Sequence, residues 1–596
     1  MREPELTHQD ARRDATHFDL RAQPGMTAVG MLDSRAAESP NRRAYLYLLD
    51  GEHLERSVTY SELDQRARSI GGRLQSMGLR GERVLLACGH GIDFLSALFG
   101  CFYAGVIAVP VEAPLRPRRA SRLRRIAIDS GARILLASGA EMTRSRAAVL
   151  ANLTDVDLDW IDVETANRSS DDDCDFVPVH AGDIAYLQYT SGSTGTPRGV
   201  AISHENLLSN LAHIDFGVEQ TAESVSVQWL PLHHDMGLVN ALYATYVGFP
   251  CVMFAPGQFV QRPLRWLEAI SRYRATYSGG PNFAYKFCSQ QGEISNISGL
   301  DLSRWQVAFC GAEFVRAETL AQFHKCFASV GFREEALYPC YGLAEFTVAV
   351  TGGRTDRPPV VRHIATDALR RGIARYCDTH DPRSTISIVG CGNALPEHSV
   401  SIVDPGTRKP LDDMRVGEIW AAGASRGQGY FGRREETEAV FHARLDSGKG
   451  PFLRTGDLGF LDKGELFVTG RANDLIVICG RKYYPDDIEW IVETAHPNLL
   501  AGGCAAFSAE EHIDEKLIVV AELVRTALRN GDHAQVVSAI RHALLNRREL
   551  DVAHVVLVRP GGVPRSPNGK IQRGACRHNY LAQTLPRVTS APPQRQ

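Results

Sequence analysis

Two uncharged apolar runs limit the folds open to this chain more than any other feature. Phe94 to Val111 and Met236 to Pro256 contain no Asp, Glu, Lys or Arg, and each is long enough to cross a bilayer as a helix. Gly100, Gly105 and Pro110 interrupt the first run, and Asn240, Gly248 and Pro250 the second. Glycine and proline punctuate helices. Each run therefore divides into a helix (Asp93 to Tyr103; Leu238 to Tyr246) and a short buried strand (Val106 to Val109; Cys251 to Phe254). A strand apolar on both faces needs cover on both, which is the condition of a parallel sheet flanked by helices. The expectation is a buried α/β core and no transmembrane segment.

The same alternation continues along the chain. Tyr60 to Met77 has helical spacing, while Arg83 to Cys88, Ile134 to Ala137 and Asp183 to Tyr189 read as strands. After Val416 to Trp420 come short strands and glycine turns, as far as Gly464 to Gly470. From Leu475 the order is strand, helix (Pro485 to Ala495), strand, strand (Lys516 to Leu523), helix (Ala534 to Leu545), strand (Val552 to Val558). That is a compact α+β unit. The expected division is an extension at 1–26, a large multi-subdomain α/β domain at 27–473, a small α+β domain at 474–580 and a flexible tail at 581–596.

Charge and cysteine usage remove several function classes. Lys and Arg number 66 against 69 Asp and Glu, a net charge of −3, so no overall field favours nucleic acid. Met1 to Gln23 is too polar for a signal peptide. The 13 cysteines are scattered with no CxxC pair, a pattern of reduced thiols in the cytoplasm rather than of disulfides or a zinc site.

The most informative stretch is Tyr189-Thr-Ser-Gly-Ser-Thr-Gly-Thr-Pro-Arg-Gly199. Its glycines let backbone N–H groups turn inward, and its Ser and Thr hydroxyls add donors, so it suits a polyphosphate. A strand precedes it and Val200-Ala-Ile-Ser203 follows, where a mere linker would abut neither. No Gly-Lys-Ser/Thr follows at the required spacing, so this is not a Walker A loop.

With this loop the chain resembles the adenylate-forming, acyl-activating enzymes. The resemblance continues through Tyr341-Gly-Leu-Ala-Glu345, Arg454-Thr-Gly-Asp457, Gly470-Arg-Ala-Asn-Asp474 and Pro567-Asn-Gly-Lys-Ile-Gln-Arg573, in the family's order, and covers roughly residues 27 to 580. Trp229-Leu-Pro-Leu-His-His-Asp-Met-Gly-Leu238, Gly280-Pro-Asn-Phe-Ala-Tyr285 and Phe309-Cys-Gly-Ala-Glu-Phe-Val315 are most similar to the fatty acyl-AMP ligases.

The resemblance implies a reaction in which a fatty acid carboxylate joins the α-phosphorus of ATP and pyrophosphate leaves. It assigns the phosphate cradle to Thr190, Ser191, Gly192, Ser193, Thr194 and Gly195, and a magnesium ion to Glu345 and the Thr190 hydroxyl. Adenine would face Tyr341 and Gly342, with Gly311 and Ala312 allowing backbone approach; Asp457 and Arg471 would take the ribose. Lys570 would bridge carboxylate and α-phosphate from the small domain, entering for one step and leaving for the next by rotation near Asp474. His234 would stand at the carboxylate and acyl entry, with Met236, Gly237, Gly280, Asn282 and Phe283 along the acyl path. The implied acceptor is the phosphopantetheine thiol of a separate acyl carrier protein, since no Asp-Ser-Leu carrier motif occurs.

Departures and decoys sharpen these expectations. Arg198 stands where most members carry Lys, exchanging a point charge for a planar fork, and Asn473 replaces the usual lysine before Asp474. His233-His234-Asp235 invites a metal reading, but adjacent residues on an extended segment point apart. Gly423-Ala-Ser425-Arg-Gly427 satisfies the GxSxG pattern without leading straight into a helix, as a nucleophile elbow must. Beside the carrier-coupled ligase stand two alternatives: an acyl-CoA ligase, and a catalytically silent nucleotide sensor or carrier-docking protein. The stretch between Glu345 and Val416, with a helical segment near Asp367 to Tyr376, is longer than expected for an acyl-CoA ligase and favours the carrier.

Overall fold

A computed structural model describes residues 25–113, 117–139, 156, 158–166, 176–191, 197–378, 381, 383–478, 481–511, 514–530, 532–565 and 570–588. The large domain is built on two mixed sheets. One has nine strands, with six in parallel at its centre: Leu337–Gly342, Val307–Cys310, Tyr277–Gly280, Ser226–Gln228, Cys251–Met253 and Arg43–Leu48, in that order. Glu55–Thr59 closes one edge antiparallel, and Ala349–Gly352 with Asn393–Ala394 the other. The second sheet has seven strands, ordered Gly429–Tyr430, Pro197–Ser203, Ile184–Ser191, Ile107–Pro110, Arg83–Leu86, Ile134–Ala137 and Asp159–Asp162. A four-stranded antiparallel sheet from Ser399–Val403 to Glu465–Arg471 completes the domain.

Both uncharged runs fold as helix then strand. The helix Ile92–Tyr103 buries every residue except Asp93 and touches strands of both large sheets. A helix apolar all round belongs in the core of a large protein when it does not cross a membrane. Asp93 lies in its first turn, where the helix dipole favours an anion, and pairs with Arg56 at 3.2 Å and Arg66 at 3.0 Å. Gly100 lets this helix meet Tyr60–Ser76 closely: a Cβ there would fall 2.7 Å from the Ile70 side chain. The second run forms the helix Asp235–Val247, ended by Gly248 at φ 99°, then the strand Cys251–Met253. Among the described residues no helix is long and apolar enough to cross a membrane.

The small domain has its own core, centred on Ile488, Ile491, Val519, Val536 and Ile540. The hairpin Ile476–Ile478/Arg481–Tyr483 leads into the helix Pro485–Glu493, and Leu499–Glu511 pairs antiparallel with Asp514–Leu523. After the helix His533–Arg548, the strand His554–Val558 joins in parallel, and the helix Arg573–Leu581 follows.

Two expectations are corrected, and one helix goes unread in the sequence. The helical segment near Asp367 to Tyr376 is only Thr366–Leu369; Gly372 takes φ 77°, and Ile373 and Tyr376 bridge to Arg415 and Ile364 instead. The helix Arg573–Leu581 escapes the sequence pattern, because its one fully buried position, Cys576, gives no apolar period. The tail does not leave the domain at 581: Leu585 is buried, and Arg587 bridges to Val558.

Candidate active site

The candidate residues gather where four adjacent parallel strands end. Loops after Ser226–Gln228, Tyr277–Gly280, Val307–Cys310 and Leu337–Gly342 supply His234, Asn282, Ala312 and Glu345 in turn. The carboxyl edge of a parallel sheet is where α/β folds bind ligands.

His233 and His234 do not both lie on an extended segment: His233 is in a turn, and only His234 is extended, at φ −109°, ψ 147°. The turn places their rings 4.5 Å apart, and His234 is the residue before the helix Asp235–Val247. Extended geometry therefore gives no ground against a metal there, yet no three His, Cys, Asp or Glu among the described residues are grouped to hold one. Burial, then the Arg122 and Lys570 cations, push His234 down to about 3, so its imidazole is neutral.

Glycine is required at Gly237, where a Cβ would sit 2.2 Å from the Pro231 carbonyl oxygen. At Gly280 a Cβ would lie 3.1 Å from the Trp229 indole, which stacks on Phe259 at 3.8 Å. Phe283 and Phe287 extend this aromatic wall, and Met236 is half-buried against the same large-domain core. Asn282 accepts from the Arg316 N–H at 3.1 Å, and Glu313 accepts from the Phe283 N–H at 2.6 Å. A Cβ at Gly311 would fall 2.8 Å from the Cys340 carbonyl oxygen, and Ala312 holds φ 66°.

Glu345 sits in the 3₁₀ turn Ala344–Phe346. The Tyr430 hydroxyl donates to its Oε1 at 2.9 Å, and Gly427 N–H to its backbone carbonyl at 3.0 Å. Burial raises the Glu345 carboxyl above its ordinary range, against the pull of Tyr430 and Arg471. Thr347 follows at φ 66°, ψ −65°, a strained conformation that its hydroxyl secures by donating to the Ser425 carbonyl at 2.7 Å. Ser425 itself is fully buried, 2.9 Å from His398 Nε2, so the GxSxG segment is a support beneath Glu345 and presents no accessible nucleophile.

Thr190 pairs with Arg198 across the hairpin of Ile184–Ser191 and Pro197–Ser203. Gly192, Ser193, Thr194 and Gly195 lie outside the described residues, and of Ser191 only the backbone is described. Arg198 lies over the Tyr430 ring at 5.3 Å, and its Nε is 3.0 Å from Glu436. Asp457 and Arg471 face each other in register, Nε to Oδ1 at 3.1 Å. Tyr341 O–H donates to the other Asp457 oxygen at 2.7 Å. Gly342 packs so tightly that a Cβ would overlap the Val348 carbonyl.

Lys570 reaches this cleft from the small domain. Burial and the Arg471 cation push its ammonium below the ordinary lysine range, while Asp235, Glu313 and Asp457 pull it back up. Sequence reasoning misses Glu313, Tyr430 and Glu436. A signal exists for Glu313, which directly follows Ala312 in the Phe309 to Val315 motif. Tyr430 lies in a Gly-Tyr pair whose hydroxyl partner is 85 residues away.

A cleft at the carboxyl edge of a parallel sheet, with a lysine delivered by a small α+β domain, defines an adenylate-forming enzyme. A family model described as AMP-binding enzyme matches residues 32–431, and one described as Disco-interacting protein 2-like, AMP domain, matches 473–590. The chain belongs to the AMP-binding enzyme family. It is 40% identical to the medium-chain-fatty-acid–[acyl-carrier-protein] ligase JamA of Moorena producens (strain JHB), over 94% of this chain and 96% of that one. With the long-chain-fatty-acid–AMP ligase FadD23 of Mycobacterium tuberculosis it shares 32% identity, over 93% and 96%. The solved fatty acyl-adenylate ligase of L. pneumophila, in complex with acyl adenylate and pyrophosphate, is 38% identical with a TM-score of 0.73, over 94% of this chain and 97% of that one.

Proposed function

We propose that this chain activates a fatty acid with ATP and passes the acyl group to the phosphopantetheine thiol of a separate carrier protein. The observation that carries the reading is Lys570 standing among Asp235, Glu313, Asp457 and Arg471, residues of the other domain. A carboxylate oxygen attacks the α-phosphorus, the bond to the β-phosphate oxygen breaks, and pyrophosphate departs. Two anions must meet in that step, and a lysine aimed where their charge accumulates stabilises the transition state. The neutral His234 adds no repelling or attracting charge at the carboxylate entry. The Trp229, Phe259, Phe283 and Phe287 wall offers an apolar path for the chain.

Asp457, fixed by Tyr341 and Arg471, suits two ribose hydroxyls, and the Ser/Thr-rich loop suits the triphosphate. The oxygen donors Glu345 and Thr190 fit magnesium, a hard cation that takes one or two protein oxygens plus phosphate and water. Magnesium would neutralise charge on the phosphates. Glu345, oriented by Tyr430, would hold it. Eleven cysteines among the described residues stand outside any disulfide, which supports a reducing, cytoplasmic setting.

Two contacts favour a carrier over coenzyme A. Arg370, from the segment between Glu345 and Val416, donates to the Arg548 carbonyl at 2.8 Å, and its guanidinium lies 4.7 Å over the Tyr483 ring. They fasten that segment to the small domain and oppose its rotation toward a coenzyme A path. Incubation with ATP, a fatty acid and coenzyme A should yield acyl-AMP with little thioester, and addition of a phosphopantetheinylated carrier should consume the acyl-AMP. Acyl-CoA formed as fast as adenylate would replace this reading with an acyl-CoA ligase.

A further inference from the structure

Arg573 opens the helix Arg573–Leu581, three residues beyond Lys570. Its side chain is 14% exposed, and each guanidinium nitrogen meets a carboxylate. Nε and Nη2 donate to the two oxygens of Glu489, both at 2.7 Å; Nη2 also reaches Asp486 at 2.9 Å; Nη1 donates to Asp474 at 2.8 Å. Glu489 takes a further N–H from Ala506 at 3.0 Å. Only a planar fork spans three carboxylates in this way; an ammonium is a point charge.

The three carboxylates belong to two different places. Glu489 and Asp486 are on the helix Pro485–Glu493 of the small domain. Asp474 ends the 3₁₀ turn Ala472–Asp474, where the chain leaves the strand that carries Arg471. The same small-domain helix is gripped from the large domain, since Arg316 donates to the Asp486 carbonyl, and Lys286 meets Glu493 at 2.9 Å. Three residues span at most about 10 Å of extended chain, so anchoring Arg573 confines Lys570 to that radius. Gln572 N–H to the Pro564 carbonyl at 2.9 Å and the Arg565–Ile571 bridge close the base of the Lys570 loop.

We infer that Arg573 is a positioning residue for Lys570, a latch that ties the lysine loop to the Ala472–Asp474 turn and so holds the small domain in its adenylating arrangement. This rests on the adenylation reading above. A purely structural Arg573 would act only through Glu489 and Asp486, inside the small domain. The Asp474 leg is what couples it to the domain junction.

Asp474→Ala cuts that leg while sparing the Glu489 and Asp486 contacts, and removes a charge that Arg471 also feels; Asp474→Asn leaves a neutral acceptor. Both half-reactions are to be measured: pyrophosphate release from fatty acid and ATP, and transfer from supplied acyl-AMP to carrier thiol. Asp474→Ala should lower kcat for pyrophosphate release at least tenfold with KM for ATP within twofold, leave transfer and Tm near wild type, and be partly rescued in Asp474→Asn. Arg573→Lys should follow Asp474→Ala in direction. Hydrogen exchange on the substrate-free protein gives a readout independent of the acyl substrate, and in Asp474→Ala it should rise at 472–475 and 570–573 together. Unchanged exchange in both segments overturns the latch whatever the enzyme activates. So does pyrophosphate release within twofold of wild type, or equal loss of both half-reactions. A wild-type protein that makes no acyl-AMP refutes the adenylation reading and leaves the exchange result to decide the latch.

Discussion

Tyr430→Phe isolates one hydrogen bond at the site. The Tyr430 hydroxyl donates to Glu345 Oε1 at 2.9 Å, and the ring lies beneath Arg198. Phenylalanine keeps the ring and deletes only the donor. A hydrogen bond to a charged group contributes about 1.5–3 kcal/mol, so its loss should push the Glu345 carboxyl further up. Burial has already raised it, and the lost donor was one of the groups holding it down. The ionised form proposed to hold magnesium would then fade at a higher pH. The acid limb of the pH–rate profile should move to higher pH, and at acid to neutral pH the magnesium requirement should rise by about 10- to 150-fold, the fold-change equivalent of the lost hydrogen bond. At alkaline pH the variant should approach wild type in rate. Stability moves the other way. A carboxyl whose folded pKa is raised is protonated more readily in the folded state, so the melting deficit of the variant should be largest at alkaline pH and shrink as pH falls. Pyrophosphate release across a magnesium series at several pH values, with melting curves alongside, measures both. An unchanged acid limb together with an unchanged magnesium titration would refute the role of Tyr430.

Lys570→Ala should lower the rate of pyrophosphate release by about 10²–10³ with an unchanged melting curve; retention of over half the wild-type rate would remove the lysine from the mechanism. Glu345→Gln conserves volume and removes charge, so the magnesium titration should shift to higher concentration, and an unmoved curve would leave Glu345 a purely structural residue. Gly237→Ala places a methyl 2.2 Å from a backbone oxygen and should cost about 1–3 kcal/mol, seen as a lowered Tm; an unchanged Tm would show that the Pro231 turn yields freely.

Much of the core is legible because burial leaves a local trace. The uncharged runs divide at Gly105, Gly248 and Pro250 into the helices and strands that the structure contains, while Gly100 stays inside the first helix. What stays hidden depends on partners distant in sequence. Nothing near Tyr430 announces Glu345, and nothing near Arg370 announces the Arg548 carbonyl, 178 residues on. The His233–His234 turn looks extended in sequence because the signal that folds it, the Gly237–Pro231 contact, lies in packing and not in periodicity. Segment 367–376 has helical composition until Gly372 takes a positive φ.

The helix Ile92–Tyr103 has a mechanical consequence. Because it buries every residue but Asp93 and presses on both large sheets, it couples them, so a load applied at one sheet should pass through it to the other. The large domain is in that sense a stator. If the small domain turns as proposed, torque passed through Arg316, Lys286 and Arg370 would meet that braced layer, and the throw of the lever would be spent at the few residues around Ala472–Asp474.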